Sequence, residues 1–541
     1  MSLEWALGDV HEVVSSEIPD RVMLVHGGER RTFREVNDRA RALASFLTGR
    51  GFGAFRERGG LERWEAGQDR IAILAYNTPE HVEALLGCWK ARVVPCNVNY
   101  HYTPGEVADL LRRIGARGAA YDHRLHDKLQ GIVDELDLLI ELGGESGLPR
   151  LPGALDAEEA LTLGAASPVT VASSPDDLYM ACTGGTTGHP KAVMWRQGDI
   201  FVAGMGGADD MDEATLRARA RRGAGTWFPT SPLMHVAAQW TALLAANLGA
   251  TVVLHDDARP FDVRTILATA ARERATMMTI VGDAYARPMI EELRRAPYDL
   301  SSLAVLGTGG TPTSYEAKRA LLELLPHVTI RDGYGASEIG VMASGDTAAD
   351  ASTPQAFTPS DSARLLSGDR IRFLDVGEDE IGWVARTGHV PLGYLNDAAA
   401  TESTFPRVDG ERVAIPGDRA RYTPDGRVVL LGRDSLVVNT GGEKVFVEEV
   451  EDVLKRHDDV LDALVVGRPS ERFGQEVTAI VQLRADCDPR PGELREWCRA
   501  RLAAYKAPRA FVFVERVERH PSGKANYQWA RETSGQATEA V

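Results

Sequence analysis

The sequence predicts an α/β protein: a large N-terminal domain of doubly wound sheets with a small β subdomain (residues 1–432), then a small α+β C-terminal domain (433–541). Three observations carry this expectation. The chain of 541 residues is longer than one hydrophobic core can serve, so it divides. In its first part, short β-branched or apolar runs alternate with helical patterns. After about residue 370 the texture changes to short strands and turns, and past Arg433 it changes again to a separate mixture of helices and strands.

Taken in order, RIAILAY (70–76) reads as a strand and EHVEALLGCWKA (80–91) as the helix after it. The pattern repeats as VVPCNV then PGEVADLLRRIG, ATVVLHD then DVRTILATAARER, and MMTIVG then AYARPMIEELRRA. Such alternation predicts parallel sheets with crossover helices. The runs IRFLD, GWVART and GRVVLLGR, separated by DG and PGD turn signals, predict the β subdomain. GRDSL (432–436) marks the junction, and beyond it VEEVEDVLKRHDDV and PGELREWCRARL read as helices among the strands DALVVG, EVTAIVQL and AFVFVERV. The tail RETSGQATEAV is expected to fray.

A formal net charge of −17 argues against general binding to nucleic acid or anionic membranes. Any polyphosphate must therefore be held by a local cluster of donors. Five cysteines without a Cys-x-x-Cys pair fit neither a zinc site nor a disulfide framework, and a reducing cytoplasm is the simple reading. The start MSLEWALGDVHEVV lacks a basic segment followed by an apolar one, so no signal peptide is expected. The longest nearly apolar run, 236–254, is interrupted by Gln239, Thr241 and Asn247 and reads as a core helix and strand, not a membrane span.

The stretch TGGTTGHPK (183–191) is rich in glycine, hydroxyls and backbone donors, which suits an anion. It fails the P-loop pattern, because His189 and Pro190 stand between Gly188 and Lys191. It follows the apolar run LYMAC, and ligands of open α/β sheets sit beyond the carboxyl ends of strands. LAVLGTGGTP (303–312) and VTIRDGYGASE (328–338) repeat the arrangement, so three glycine-rich loops are placed to converge on one nucleotide.

TGGTTGHPKAV, HVAAQW, GYGASE, GWVARTG, PGDRARY, GRDSLVVNTGGEKVFVEEVE and PSGKAN follow one another over nearly the whole chain. Together they resemble the adenylate-forming superfamily of acyl-CoA synthetases, luciferases and peptide-synthetase adenylation domains. LERWEAGQDRIAILAYN and MWRQ (194–197) resemble more narrowly actinobacterial ligases for steroid side-chain and other bulky polycyclic acids. Read singly, Lys524, Glu338 and Asp418 are ordinary surface or turn residues; the ordered set gives them their weight.

The resemblance implies ATP, Mg2+ and coenzyme A: a carboxylate attacks the α-phosphate to give acyl-AMP and pyrophosphate, then the CoA thiol displaces AMP. It implies that Thr183, Gly185, Thr186, Thr187, Gly188 and Lys191 grip the β- and γ-phosphates. Glu338 falls at the magnesium position, with Ser337 beside the phosphate. Asp332, Gly333, Tyr334 and Gly335, with Gly309, Gly310 and Thr311 opposite, would hold adenine, Tyr334 stacking on it. Asp418, supported by Arg433, would accept both ribose hydroxyls, since one carboxylate offers two acceptor oxygens. Lys524 on a mobile terminal domain would bridge the carboxylate and the α-phosphate when that domain is closed. Gly441 and Gly442 would let the backbone approach the pantetheine arm, and His235 resembles the gate between acyl and nucleotide sites.

The acyl pocket is expected from Val281 to Arg287, HVAAQW and the GTGGT loop. Departures from the family pattern stand at Ala192, Ser435 and Asn439. The resemblance leaves open a homodimer, a partner adenylating enzyme if only the thioester-forming half-reaction is retained, an acyl carrier as acceptor, and a non-catalytic nucleotide- or acyl-binding role. The substrate expected is a medium-to-long or bulky apolar acid: fatty, steroid or terpenoid.

Overall fold

The computed structural model describes residues 4–143, 148–183, 191–347, 356–433, 436–440, 443–470, 474–485, 487–520, 523–535 and 538–539. Within them the chain builds two large sheets and a smaller C-terminal one. The parallel centre of the first is formed by Val22–His26, Thr251–Leu254, Thr226–Pro229, Met277–Ile280 and Val305–Thr308, with Thr329–Ala336 alongside. The second is centred on Val94–Asn97, Arg70–Leu74, Gly118–Asp122 and Leu138–Leu142, also parallel.

Strands such as Arg70–Leu74 are covered on both faces, which is why they read as unbroken apolar runs. The helices between them carry their own boundary signals. Pro104–Ile114 opens with a Thr103–Glu106 capping box and ends at Gly115 in the left-handed region, burying Val107, Leu110, Leu111 and Ile114. Val236–Asn247 is followed by Thr251–Leu254, the helix and strand expected from the long apolar run. Among the described residues no helix is long and apolar enough to cross a membrane.

The strands of the β subdomain continue the first sheet: Ala343↔Pro359 and Ser344↔Thr358 pairing joins Ala356–Pro359 to it, and Val428–Arg433, Asp418–Tyr422, Gly382–Arg386 and Ala363–Leu366 extend it. IRFLD runs beside Ala363–Leu366 with the single bridge Leu366↔Phe373, the Ser367 N–H donating to Arg372 O (2.9 Å) and the Leu374 N–H to Leu365 O (2.8 Å), while Ile371 is exposed. The tail does more than fray. Tyr527–Ser534 is a helix that buries Ala530 and Ser534, and Thr538–Glu539 pairs with Ala510–Val514. Its apolar anchors, Tyr527 and Trp529, precede the polar stretch that suggested disorder.

The C-terminal sheet, from Val437–Thr440 onward, closes over its own core of Val445, Val450, Leu454, Val465, Val477, Leu494 and Phe511. Helix Val447–Lys455 packs on the long strand Val460–Ser470 and turns its first residues toward Val428–Arg433.

Candidate active site

The strands Leu178–Thr183 and Lys191–Arg196 pair antiparallel on either side of residues 184–190 in the chain. Thr183 and Lys191 are cross-strand partners, so the two ends of the loop are fixed side by side. Gly185, Thr186, Thr187 and Gly188 lie outside the described residues, as do Gly441, Gly442 and Ser435. Ala192 stands in extended strand with its methyl in the hydrophobic core, and its carbonyl accepts the Leu395 N–H at 2.9 Å. The position therefore makes no demand for glycine.

Asn97, at the carboxyl end of its strand, ties this hairpin to the segment before His235. Its amide nitrogen donates to Cys182 O (2.9 Å) and Met234 O (2.6 Å), while its oxygen accepts Cys182 N–H (3.0 Å). A single buried side chain thus sets the distance between the phosphate loop and the start of the Val236–Asn247 helix. His235 sits at that start, its Nε2 buried without a hydrogen-bond partner. Burial, then the nearby Lys524 and His101, push its imidazole down to about 4, so it is neutral at physiological pH.

The second and third loops meet as expected. A Cβ built on Gly309 would lie 3.3 Å from Gly333 O, and one on Gly282 would strike Thr311 Oγ1, so the GTGGT loop is wedged between the Thr329–Ala336 strand and the Gly282–Arg295 helix. Gly310 adopts φ +77°, a conformation that disfavours larger residues. Asp332 differs from its neighbours: its buried carboxylate accepts from Thr308 (2.5 Å) and Thr347 (3.0 Å) and pairs with Lys318 (2.8 Å). That side chain staples the sheet.

Glu338 lies in the turn between Thr329–Ala336 and Gly340–Thr347, and Trp195 fixes the turn by donating to Ser337 O at 2.8 Å. Glu338 Oε1 accepts the Tyr394 hydroxyl at 2.9 Å, and Lys191 Nζ stands 4.7 Å from the centre of the Tyr394 ring. Asp418 and Arg433 are cross-strand partners; Asp418 Oδ2 accepts from Tyr334 OH at 2.7 Å and Oδ1 is 3.5 Å from Arg433 Nε.

Lys524 reaches the same place from the C-terminal sheet. The residue is exposed, yet surrounding protein atoms desolvate its ammonium and, with Arg433, lower its proton affinity, while Glu338 acts in the opposite direction. Its turn is braced by Arg519, which binds Asp462 through both nitrogens (2.9 and 2.8 Å) and donates to Gly523 O. A Cβ on Gly523 would lie 3.3 Å from Ala284 Cβ, so the tip touches the Gly282–Arg295 helix. The structure thus gathers Lys191, Glu338, Tyr334, Asp418, Arg433, Lys524 and His235 from separate segments.

The donor set suits a magnesium nucleotide. Lys191, Arg433 and Lys524 supply positive charge, Glu338 a hard oxygen, and among the described residues no group of three His, Cys, Asp or Glu is placed to enclose a metal alone. A magnesium ion keeps waters and phosphate oxygens as most of its ligands, so one carboxylate is a fitting protein share. Tyr394, Asn97 and Trp195 escaped the reading of the sequence. Gly393-Tyr394 offers only a Gly-aromatic pair before a turn, and nothing local says which carboxylate the hydroxyl will meet.

Sequence and structure comparisons agree with this geometry. A family model described as AMP-binding enzyme matches residues 12–388, and one described as AMP-binding enzyme C-terminal domain matches 449–524. The chain belongs to the AMP-binding enzyme family, among its AMP-forming acyl-CoA ligases, which work with ATP, Mg2+ and coenzyme A. It is 42% identical over 535 residues to the medium-chain acyl-CoA ligase Mig of Mycobacterium avium, covering 97% of both chains. It is 35% identical over 552 residues to the 3-oxocholest-4-en-26-oate–CoA ligase of Rhodococcus rhodochrous, covering 98% of this chain and 96% of the other. A benzoate CoA ligase from Burkholderia xenovorans LB400 shares the fold, with a TM-score of 0.78 at 21% identity over 97% of this chain and 100% of that one.

Proposed function

We propose that this acyl-CoA ligase activates an apolar carboxylic acid, of medium chain length or with a bulky ring system, and works in the cytoplasm as two units, residues 1–432 and 433–541. The placement of Lys524 beside Arg433, Glu338 and His235 carries the reading, because it brings the C-terminal unit's lysine to the nucleotide site. The acid class rests on the names of the two relatives. Cys88, Cys96, Cys182 and Cys498 form no disulfide, which supports a reducing compartment.

In the first half-reaction Lys524 binds the acid's carboxylate and the α-phosphate together, one carboxylate oxygen bonds to phosphorus, and pyrophosphate leaves toward Thr183 and Lys191. Asp418 accepts the ribose hydroxyls, and the Tyr334 hydroxyl and Arg433 fix its orientation. Glu338 would hold a magnesium ion, which when bound would supply charge neutralisation on the phosphates. In the second half-reaction the CoA sulfur bonds to the acyl carbon, AMP departs and the thiol proton goes to solvent. Neutral His235 lines the passage without adding a charge that would hold either anion back.

The test follows pyrophosphate release and thioester formation separately over fatty, steroid and terpenoid acids. For Lys524→Ala we expect adenylation to fall by about 10²–10³-fold, while thioester formation from supplied acyl-adenylate persists. Equal loss of both half-reactions would remove the assigned role of Lys524, and transfer to a carrier protein in preference to CoA would replace the acceptor.

A further inference from the structure

Glu338 and Lys191 come from different sheets; Trp195 ties the two hairpins by donating to Ser337 O (2.8 Å), but it touches neither functional side chain. The side chain that spans the gap is Tyr394. Gly393–Tyr394 pairs antiparallel with the strand that Lys191 begins, at Gly393↔Met194 and Tyr394↔Val193, and is flanked by Leu392 N–H donating to Met194 O (2.7 Å) and Leu395 N–H to Ala192 O (2.9 Å). The backbone of Tyr394 is clasped by buried Thr401, whose Oγ1 accepts Tyr394 N–H at 2.9 Å. A Cβ on Gly393 would lie 2.4 Å from Thr401 Cγ2, so glycine is what permits that approach. Phe405 packs against the ring at 5.5 Å between centroids. The phenol is therefore rigid, with only 5% of its residue surface exposed.

We propose that Tyr394 is a positioning residue that sets the magnesium carboxylate and the phosphate-loop lysine in register: its hydroxyl orients Glu338 and its ring face seats the Lys191 ammonium. The inference rests on the role given to Glu338 above. A phenol has one proton to donate; giving it to Glu338 Oε1 fixes the carboxylate plane, and among the described residues Oε2 has no partner and is left for a cation. The ring meanwhile offers Lys191 a partner that carries no negative charge. The ammonium is held in place by the ring's quadrupole and stays available to a phosphate, which a carboxylate partner would not allow.

The experiment separates hydroxyl from ring. Binding of a non-hydrolysable ATP analogue is measured by calorimetry without acid or CoA across a magnesium titration, and pyrophosphate release is followed in parallel. Tyr394→Phe keeps the ring and is expected to raise the magnesium concentration for half-saturation about tenfold, the loss expected for one hydrogen bond to a charged group. The KM for the acid should stay unchanged. Tyr394→Leu is expected to weaken analogue binding a further few-fold even at saturating magnesium, because Lys191 loses its seat. Melting temperatures report whether each variant keeps the fold, and Glu338→Gln is measured alone and combined with Tyr394→Phe.

If Glu338→Gln shifts the magnesium dependence and Tyr394→Phe adds nothing to it, the proposal stands. If Glu338→Gln shifts it and Tyr394→Phe leaves it within twofold of the parent, the proposal is overturned and the role of Glu338 survives. A double variant showing two full, independent losses also overturns it, since Tyr394 would then act by another route. If Glu338→Gln leaves magnesium dependence unchanged, the reading of Glu338 fails and the proposal with it.

Discussion

At the scale of single residues, the site depends on side chains whose charge state is set by burial. His235 is an example: its imidazole has no partner at Nε2 and is pushed down to about 4. Its ordinary value is near 6.5, so between pH 6.5 and 4 the unfolded chain binds a proton that the folded chain refuses, and the contribution to stability is present above pH 6.5 and lost as pH falls toward 4. Buried His81, also pushed down to about 4, acts in the same direction. An NMR titration of the His235 ring should show a midpoint near 4, and Lys524→Ala should move it upward, because the ammonium's repulsion is the second cause of the shift. A midpoint unmoved by Lys524→Ala would mean that the two side chains are not neighbours in solution. Residue types such as Lys524 and Asp418 were legible from their motifs. Tyr394 and Asn97 were not, because their partners stand 56 and 85 or more residues away in sequence.

Among elements, the helix Val447–Lys455 couples the two units. A Cβ on Gly432 would lie 2.5 Å from Glu448 Oε2, so the helix lays a carboxylate against the strand that carries Arg433. Burial, and after it Asp418, push the Glu448 carboxyl up to about 7, with Arg433 and Lys455 opposing; Tyr334 lies within the same electrostatic neighbourhood. Glu451, one turn on and also pushed up to about 7, accepts Val465 N–H at 2.8 Å and the Tyr527 hydroxyl at 3.3 Å. A carboxyl raised above its ordinary 4.5 favours the docked arrangement while protonated, fully below about pH 4.5, and that contribution is lost as pH rises through 7. Docking should therefore weaken as pH rises from about 4.5 to 7 and level off above that, read as growing proteolytic sensitivity at the 433–436 junction. Glu448→Gln should flatten the profile; an unchanged profile would exclude Glu448 as its origin. Most helices and strands announced themselves through apolar period and caps, whereas IRFLD, with Ile371 exposed, makes only the single bridge Leu366↔Phe373.

For the whole molecule, the arrangement seen here brings Lys524 beside Arg433, Glu338 and His235, and the function proposed above has the C-terminal unit leave that place between the two half-reactions. The geometry offers a direct test, since a Cβ on Gly523 lies 3.3 Å from Ala284 Cβ, close to the roughly 3.5–4.5 Å that a disulfide spans. The pair Gly523→Cys and Ala284→Cys, when oxidised, should form acyl-adenylate at near the reduced rate but lose at least tenfold in thioester formation, and reduction should restore it. Undiminished thioester formation in the locked protein would mean that this one orientation serves both steps.

The sequence by itself determined the strand–helix alternation, the order of the glycine-rich loops and the family, because each is written in local pattern or in motif. Only the tertiary structure decided that the β subdomain continues the first sheet, that Asp332 braces the sheet interior, that Ala192 is accommodated in a strand, and that Tyr394 joins Glu338 to Lys191. Those outcomes depend on which distant segments meet, and a periodic pattern records that a face will be buried without recording against what.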